Sequence, residues 1–196
     1  MTATWQNLIQ TSSTHVIAHD SLDATACFMP LTQLGVLTVS GADSQTFLQS
    51  LLTNDIAQLN LHESQYSGFC TPKGRLLALF FIIRSEASTY QLVLPKDLCE
   101  AMTKRLGMYV LRSKVTVTNA SDNVVCAGAT LRQPELPADI TYHPIATNIQ
   151  RGLIICPTDK ADELCTSLIE QQFQAQATAY WLYRDITDGI ASVVTE

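Results

Sequence analysis

The sequence has few basic residues and no long apolar run, and each absence excludes a class of partner. Its 196 residues contain 12 Lys and Arg against 18 Asp and Glu, giving a formal net charge of −6. The basic residues are scattered, so the sequence does not predict the clustered cations that bind nucleic-acid phosphates. Residues 76–83 are apolar but have only the length of a buried strand, too short to span a membrane. We therefore expect neither direct nucleic-acid binding nor membrane insertion.

Cysteine and histidine also lack the spacing of metal sites. No CxxC pair occurs, and the six cysteines lie in or beside apolar segments: Cys27, Cys70, Cys99, Cys126, Cys156 and Cys165. Buried, reduced thiols are predicted, with neither disulfides nor metal ligation. His15 and His19 have the i, i+4 spacing of a zinc pair, but no Glu completes an HExxH pattern. They are interpreted as ordinary histidines.

The N-terminal sequence and the absence of nucleotide-binding motifs further limit the classes of protein that the sequence fits. The first 20 residues contain neither a basic stretch nor a continuous apolar run, so they do not form a signal peptide. The predicted location is the cytoplasm. The sequence contains no P-loop and no GxGxxG motif, which leaves no nucleotide-binding fingerprint.

The segment 34–84 has the clearest pattern of local structure. A β-favouring apolar run at 36–39 is followed by Ser40 and Asp43, whose spacing resembles a capping box. Apolar residues then recur at helical spacing and predict a helix that ends near Asn54. Two strands follow, joined by the tight turn Thr-Pro-Lys-Gly.

The rest of the chain alternates strands and helices. Strands are predicted at 65–71, 76–84, 90–94, 114–118, 123–130, 143–149 and 152–156. Helices are predicted from 95 to a stop at Gly107, from 158 to about 173, and from 178 to 187 before Gly189. This succession predicts an α+β fold with a mostly antiparallel sheet and helices on one face.

Four short motifs in this order resemble the N-terminal half of the YgfZ family, which are folate-binding relatives of the glycine-cleavage T-protein (aminomethyltransferase). The motifs are GVLTVSGAD at 35–43, FLQ at 47–49, TNDI at 53–56 and TPKGR at 71–75. The resemblance runs from about residue 31 to the C-terminus. It implies a ferredoxin-like central domain. We expect residues 1–50 with 178–196 to form the folate-binding first subdomain, and 51–177 to form the ferredoxin-like subdomain.

Two features of the family are missing from these residues. The Lys-Gly-Cys-Tyr-x-Gly-Gln-Glu signature and the C-terminal β-barrel do not occur, so we expect the N-terminal portion of the family's architecture. The paired Asp of T-proteins is replaced by Ala78 and Leu79, when Gly74 is aligned with the family's Gly-Gly. A carboxylate there would interact with the reacting folate nitrogen, which Ala and Leu cannot do. The resemblance therefore implies folate binding without catalysis in this chain.

Trp181 is the leading candidate for contact with folate. It begins a Trp-x-x-x-x-Ile-x-x-Gly segment with Ile186 and Gly189, and a Trp in this segment contacts folate in YgfZ relatives. An aromatic wall favours stacking with a pterin or aminobenzoyl ring. The alternative is a core Trp on an amphipathic helix. Leu34 stands where relatives can place a second Trp, and it offers an apolar wall or a core contact.

Three further candidates lie around the Thr-Pro-Lys-Gly turn. Lys73 and Arg75 are positioned to bind a glutamate carboxylate of folate, Arg75 in a bidentate manner, although a solvated turn is the alternative. Phe69 or Tyr66 lines the pocket, and strand alternation alone does not show which side chain faces inward.

The leading hypothesis is a protein that binds tetrahydrofolate or a folate derivative. The resemblance implies a role in maintaining iron–sulfur enzymes, and through them in tRNA modification. One alternative is a glycine-cleavage-type aminomethyltransferase, which shares the upstream motifs. Another is an interaction domain without a ligand. Asp185 and Asp188, one helical turn apart, are interpreted as helix-end composition and not as a catalytic dyad.

Overall fold

The computed structural model describes residues 4–12, 25–146 and 150–193. Within these residues it has ten strands: β1 (Cys27–Pro30), β2 (Leu34–Ser40), β3 (Ser64–Cys70), β4 (Leu76–Glu86), β5 (Thr89–Pro95), β6 (Thr116–Asn119), β7 (Val124–Thr130), β8 (Thr141–Ile145), β9 (Arg151–Pro157) and β10 (Gln174–Ala175). Five α-helices are described: α1 (Trp5–Ser12), α2 (Ser44–Leu51), α3 (Cys99–Val110), α4 (Ala161–Glu170) and α5 (Thr178–Thr187). Short 3₁₀ turns lie at Ile56–Gln58, Lys96–Leu98 and Thr158–Lys160.

The chain divides into two compact units. Unit 1 comprises Met1–Thr32 and Asn123–Ala191, and unit 2 comprises Gln33–Asp122 and Ser192–Glu196. Each unit contains a five-stranded sheet. The predicted α+β class with mostly antiparallel pairing is confirmed, but the strands form two sheets where the sequence analysis anticipated one.

Unit 2 has a wholly antiparallel sheet with the strand order β3-β4-β5-β2-β6. Successive side chains alternate between the faces of a strand, so every second residue of β2, β4 and β5 points to the same side. On that side lie Leu37, Ile82 and Leu92, which form a buried core with Phe47 of α2 and Leu106 of α3. The apolar helical spacing in the sequence therefore serves to cover one face of this sheet.

Unit 1 has the strand order β10-β1-β7-β9-β8, in which β1 pairs with β10 in parallel and the other pairs are antiparallel. Its core contains residues of α1, α4 and the sheet, among them Trp5, Phe28, Ile154, Leu164 and Leu168. The very short β10 is held at the edge by two backbone partners on β1.

The two compact units divide at other positions than the predicted subdomains. The sequence analysis placed them at residues 50/51 and 177/178, whereas the units divide at 32/33 and 122/123. The reason is strand pairing, because β2 pairs along its whole length with β5 and also with β6. Ladder hydrogen bonds of this extent fix β2 in the same sheet as 51–122. The assignment of folate binding to one subdomain stays a prediction.

Several helix ends also differ from the prediction. Asp43 is the N-cap of α2 but makes no side-chain capping bond, and the Ser40–Asp43 capping box is not formed. Asp43 Oδ2 instead accepts a hydrogen bond of 2.7 Å from the backbone N–H of Lys114. α2 ends at Leu51, short of Asn54, and α3 continues through Gly107 to Val110. A helix tolerates an interior Gly at a cost of about 1 kcal/mol, which tertiary packing can outweigh. In the described ranges, no helix is long and apolar enough to cross a membrane.

Candidate functional site

Helix α5 positions Trp181, and its bounds match the predicted helix from 178 to 187. Thr178 at its first position donates a hydrogen bond of 2.7 Å from Oγ1 to the carbonyl of Pro30, and Gly189 follows the helix with φ +70°. Trp181 faces inward, whereas Leu182 and Ile186 are 48% and 79% exposed. The helix therefore buries Tyr180, Trp181 and Arg184 and leaves Leu182, Tyr183 and Ile186 exposed.

The Trp181 ring is enclosed by two other elements of unit 1. Trp181 is 4% exposed, and the guanidinium carbon of Arg151, from β9, lies 4.1 Å from its ring centroid. From β7, Gly128 approaches so closely that a Cβ at this position would lie 2.3 Å from Trp181 Cε3. A glycine is required where another group approaches the backbone this closely. Arg151 thus covers one face of the indole through a cation–π contact.

Arg151 is the centre of a buried ion-pair cluster. Its side chain is fully buried and pairs with Asp185 through Nη2, and with Asp188 Oδ2 through Nη1 at 3.2 Å. Asp188 also accepts a hydrogen bond of 3.1 Å from Arg184 Nη2 through its second oxygen. Two cations therefore face two carboxylates. The cluster, which we name the Arg151 cluster (Arg151, Arg184, Asp185, Asp188), is balanced in formal charge.

Burial and charge act in opposite directions on Asp185. Burial, aided by the charge of Asp188, raises the pKa of Asp185 above its ordinary value, against the opposing charge and hydrogen bond of Arg151. The side chain of Asp188 is only 1% exposed and has a guanidinium group on each oxygen. With both carboxylates engaged, the cluster presents no free base. Its chemical effect is to hold α5 against β9, since opposite charges are strongly attracted where water is excluded.

This arrangement limits how Trp181 can meet a ligand. The indole face toward Arg151 is occupied at 4.1 Å, which is stacking distance. A planar ring can stack on that face only after the guanidinium group has moved away from its carboxylates. The role of Trp181 in folate binding remains a prediction, and its position in the structure is that of a buried residue.

The four other candidates lie in unit 2, at different positions of its sheet. Lys73 and Arg75 are exposed around Gly74, which has φ +80° and donates a 2.8 Å hydrogen bond to Thr71. The predicted turn is therefore present. Phe69 is 3% exposed and meets Tyr109 edge-on, with centroids 6.1 Å apart.

Phe69 points into the core of unit 2, whereas Tyr66 lies against Phe81 with ring centroids 5.1 Å apart. Half-buried Leu34 begins β2 opposite Pro95. The strand order places Leu34 three strands from β3, roughly 14 Å at the usual strand spacing. The structure thus brings Phe69, Lys73 and Arg75 to one hairpin and leaves Leu34 apart from them.

The positions predicted to correspond to the T-protein Asp pair lie on β4. Ala78 is fully buried in the core of unit 2 and pairs in register with Phe69. Leu79 is half-buried and pairs with Gly68. Neither residue supplies a carboxylate to accept or donate a proton.

Histidine and cysteine, the residue types that commonly bind metals or act as nucleophiles, form no metal site among the residues that the structure describes. In the described part of the chain, no group of three or more His, Cys, Asp or Glu could hold a metal ion. His15 and His19 lie outside the described residues. All six cysteines are free, and five are buried while Cys70 is half-buried. Burial raises the pKa of both Cys156 and Cys165 to about 12, so these thiols are protonated at neutral pH.

Sequence reasoning did not find Arg151 and Gly128. Asp185 and Asp188 were interpreted as helix-end composition, but both bind Arg151. A usable signal was present: Arg151 opens a strand that is otherwise apolar, RGLIICP. A charge in such a run requires a partner, and two carboxylates one helical turn apart are suitable.

The fold is that of the glycine cleavage system aminomethyltransferase T from Bartonella henselae, with a TM-score of 0.73 and 16% identity over 94% of this chain and 55% of that chain. The class is therefore an α+β protein with the T-protein fold. The chain belongs to the family described as the GCVT N-terminal domain, which matches residues 5–129. The predicted family resemblance is confirmed.

The matches to two curated relatives show how much of those proteins this chain covers. The tRNA-modifying protein YgfZ of Enterobacter sp. (strain 638) is 31% identical over 102 residues, covering 50% of this chain and 31% of the relative. An aminomethyltransferase of Bacillus velezensis is 30% identical over 120 residues, covering 61% and 32%. The chain therefore spans about a third of the length of these relatives.

Proposed function

We propose that this chain is a folate-binding member of the family that does not transfer an aminomethyl group. The observation that carries the proposal is the match of residues 5–129 to the GCVT N-terminal domain combined with Ala78 and Leu79. The family resemblance implies tetrahydrofolate or a folate derivative as the ligand. Aminomethyl transfer needs a carboxylate beside the reacting nitrogen, and these two side chains provide none.

The exposed hairpin turn supports carboxylate recognition. Lys73 and Arg75 are both exposed, and no described residue forms an ion pair with either. A guanidinium can bind a carboxylate in a bidentate manner, which suits the glutamate moiety of folate. Phe69 would support this turn from the core of unit 2, and Leu34, three strands away, is a separate candidate for apolar contact. In unit 1, Trp181 is a separate candidate for stacking with a ring of folate, once Arg151 has moved off its face.

The cellular role is a separate proposal, less direct than folate binding. One relative has a name that describes it as a tRNA-modifying protein. The family resemblance implies that such an effect is indirect, through the maintenance of iron–sulfur enzymes. A net charge of −6 is consistent with an indirect link to RNA, because phosphate binding requires an excess of cations.

An aminomethyltransferase is the second candidate. It is favoured by the relative of that name at 30% identity and opposed by the loss of both carboxylates. An assay that detects aminomethyl transfer to tetrahydrofolate by the chain would reverse the order of the two candidates.

Tryptophan fluorescence tests folate binding directly. Trp5 and Trp181 are the two tryptophans, so a Trp5→Phe variant reports on Trp181 alone. Titration with 5-formyltetrahydrofolate should give saturable quenching, after correction with free N-acetyltryptophanamide. Arg75→Gln should weaken binding about tenfold through the loss of a charge-assisted pair.

The matched control is Arg112→Gln, which removes an exposed Arg elsewhere in unit 2 and should leave the affinity unchanged. Isothermal calorimetry on the unmodified chain provides a readout independent of Trp181. Absence of both heat and quenching would refute folate binding by this chain. Heat without quenching would retain folate binding and remove Trp181 from the site.

A further inference from the structure

The C-terminal part of α3 and the loop after it concentrate positive charge. The stretch 104–114, KRLGMYVLRSK, holds four of the chain's 12 basic residues and no acidic residue, so the description of the basic residues as scattered does not hold here. Lys104 forms an i, i+4 pair of 2.6 Å with Glu100. Arg112 and Lys114 are exposed, and neither side chain forms an ion pair with a described residue. Cations near a helix C-terminus suit the helix dipole, which accounts for the charges but not for the apolar side chains among them.

Leu111 is the most unusual of these apolar residues. It is 88% exposed, and its backbone has φ 43° and ψ −104°, a conformation that a leucine rarely adopts. Tyr109 and Met108 beside it are 44% and 66% exposed. Glycine would fit this backbone with less strain, and a polar side chain would suit the exposure. Nothing in the packing of unit 2 favours leucine at this position.

The loop is held firmly in this conformation. The backbone N–H of Lys114 donates to Asp43 Oδ2 at 2.7 Å. Gly41, with φ +127°, lies so close that a Cβ there would be 2.1 Å from the Lys114 carbonyl oxygen. Strained residues that the surrounding structure holds in place are concentrated at functional sites.

A surface depression lies beside this leucine. It has a volume of about 700 Å³ and is lined by Asp43, Tyr109, Leu111, Arg112 and Ser113. It therefore combines an aromatic ring and a projecting aliphatic side chain with an unpaired cation. Lys114, two residues after Arg112, is a second exposed cation in the same loop.

We propose that the surface formed by Tyr109, Leu111, Arg112 and Lys114, the α3 surface, binds a segment of a partner protein in which carboxylates flank an apolar side chain. Charge complementarity selects the partner, because a chain of net charge −6 offers acidic segments few other positive surfaces. Leu111 and Tyr109 supply the apolar contact, and Arg112 and Lys114 bind the flanking carboxylates. This proposal concerns protein recognition and does not depend on folate binding.

Selection from a phage-displayed library of random 12-residue peptides tests the partner's chemistry. The wild-type chain is the bait, and a Leu111→Gly/Arg112→Glu variant removes peptides that bind elsewhere. We expect the enriched peptides to combine Asp or Glu with an apolar residue. Enrichment of basic or uncharged peptides, or no enrichment, would overturn the proposal.

Fluorescence anisotropy with the best enriched peptide then tests the residues one at a time. Leu111→Gly and Arg112→Glu should each weaken binding at least about tenfold, and added salt should weaken it further. The controls Leu61→Ser and Lys96→Glu alter an exposed leucine and an exposed cation elsewhere in unit 2, and should leave the affinity unchanged.

Leu111→Gly also separates binding from folding. Because glycine relieves the backbone strain, the variant should unfold at a temperature no lower than that of the wild type while it loses peptide binding. Equal peptide binding by this variant would overturn the proposal. So would a 12-residue oligouridylate that competes for the α3 surface at the same affinity, because the partner would then be a nucleic acid.

Discussion

Replacing Arg151 with Met tests the central packing argument of unit 1. The wild-type side chain is fully buried between two carboxylates and covers the face of Trp181. In the variant, Asp188 keeps Arg184 as a partner at 3.1 Å, but Asp185 loses its cation. Removing one partner of a buried pair costs about 3–5 kcal/mol. We expect about 3 kcal/mol, because Asp185 is 21% exposed and water can reach its carboxylate.

Urea unfolding followed by tryptophan fluorescence measures this loss in the relevant unit. Trp5 and Trp181 both belong to unit 1 and are only 6% and 4% exposed, so their emission reports on that unit. With a urea dependence of about 2 kcal/mol per M, a loss of about 3 kcal/mol lowers the midpoint by about 1.5 M. Circular dichroism at 222 nm reports on the helices of both units. In this measurement, the urea midpoint of unit 2 should equal that of the wild type.

Two further variants make the result interpretable. Lys104→Met also removes one cation from an ion pair, but both partners are more than 70% exposed, and we expect no measurable shift. Arg151→Met with Asp185→Leu should be more stable than Arg151→Met alone, because no carboxylate is then left buried without a cation. If Arg151→Met unfolds within about 1 kcal/mol of the wild type, the cluster does not stabilise α5 as argued.

The remaining predictions concern close packing and thiol chemistry. Gly128→Ala should destabilise unit 1 by about 1–3 kcal/mol, because the added Cβ would overlap the Trp181 ring. Gly107→Ala in α3 should stabilise unit 2 by about 0.5–1 kcal/mol, because its Cβ would meet nothing within 4 Å. Urea unfolding measures both changes. Iodoacetamide at pH 8 should alkylate half-buried Cys70 before the five buried cysteines, and peptide mass spectrometry would disprove this order if Cys156 or Cys165 reacted as fast. Burial raises the pKa of Cys156 and Cys165 from 9.0 to about 12, so the stability that their neutral thiols contribute is complete below pH 9 and is lost as the pH rises toward 12. A Cys156→Ala/Cys165→Ala variant should show a smaller decline in urea midpoint over this range.

Local patterns in the sequence predicted individual elements well. The hairpin of β3 and β4 and the helix α5 were predicted because their apolar patterns are strong and Pro and Gly mark the turn or the helix end. The division into two sheets was not predicted. β1 and β2 are separated by three residues, yet β1 pairs with β7, about 100 residues away, and β2 pairs with β5. Such partner choices depend on long-range contacts that a period of two does not encode.

The candidate site shows the same division between local and long-range information. The sequence identified Trp181 and noted the spacing of Asp185 and Asp188, because all three lie on one helix. Their shared partner Arg151 is 30 to 37 residues distant along the chain and lies on a strand. The need for glycine at position 128 arises only when the indole is placed against β7. Tertiary contacts, and not the motif, therefore determine which parts of the Trp181 ring are covered.

Ala78 and Leu79 show why the fold and the reaction of this family can be separated. β4 keeps its register with β3 and β5 because its residues alternate between the core and the opposite face, and Ala78 satisfies the core position with a small apolar side chain. That requirement concerns size and polarity. Aminomethyl transfer requires instead a titratable oxygen at a defined atom, which no apolar residue provides. A family member can therefore retain the T-protein fold while the reaction is lost, and a function for such a chain has to be argued from its ligand contacts.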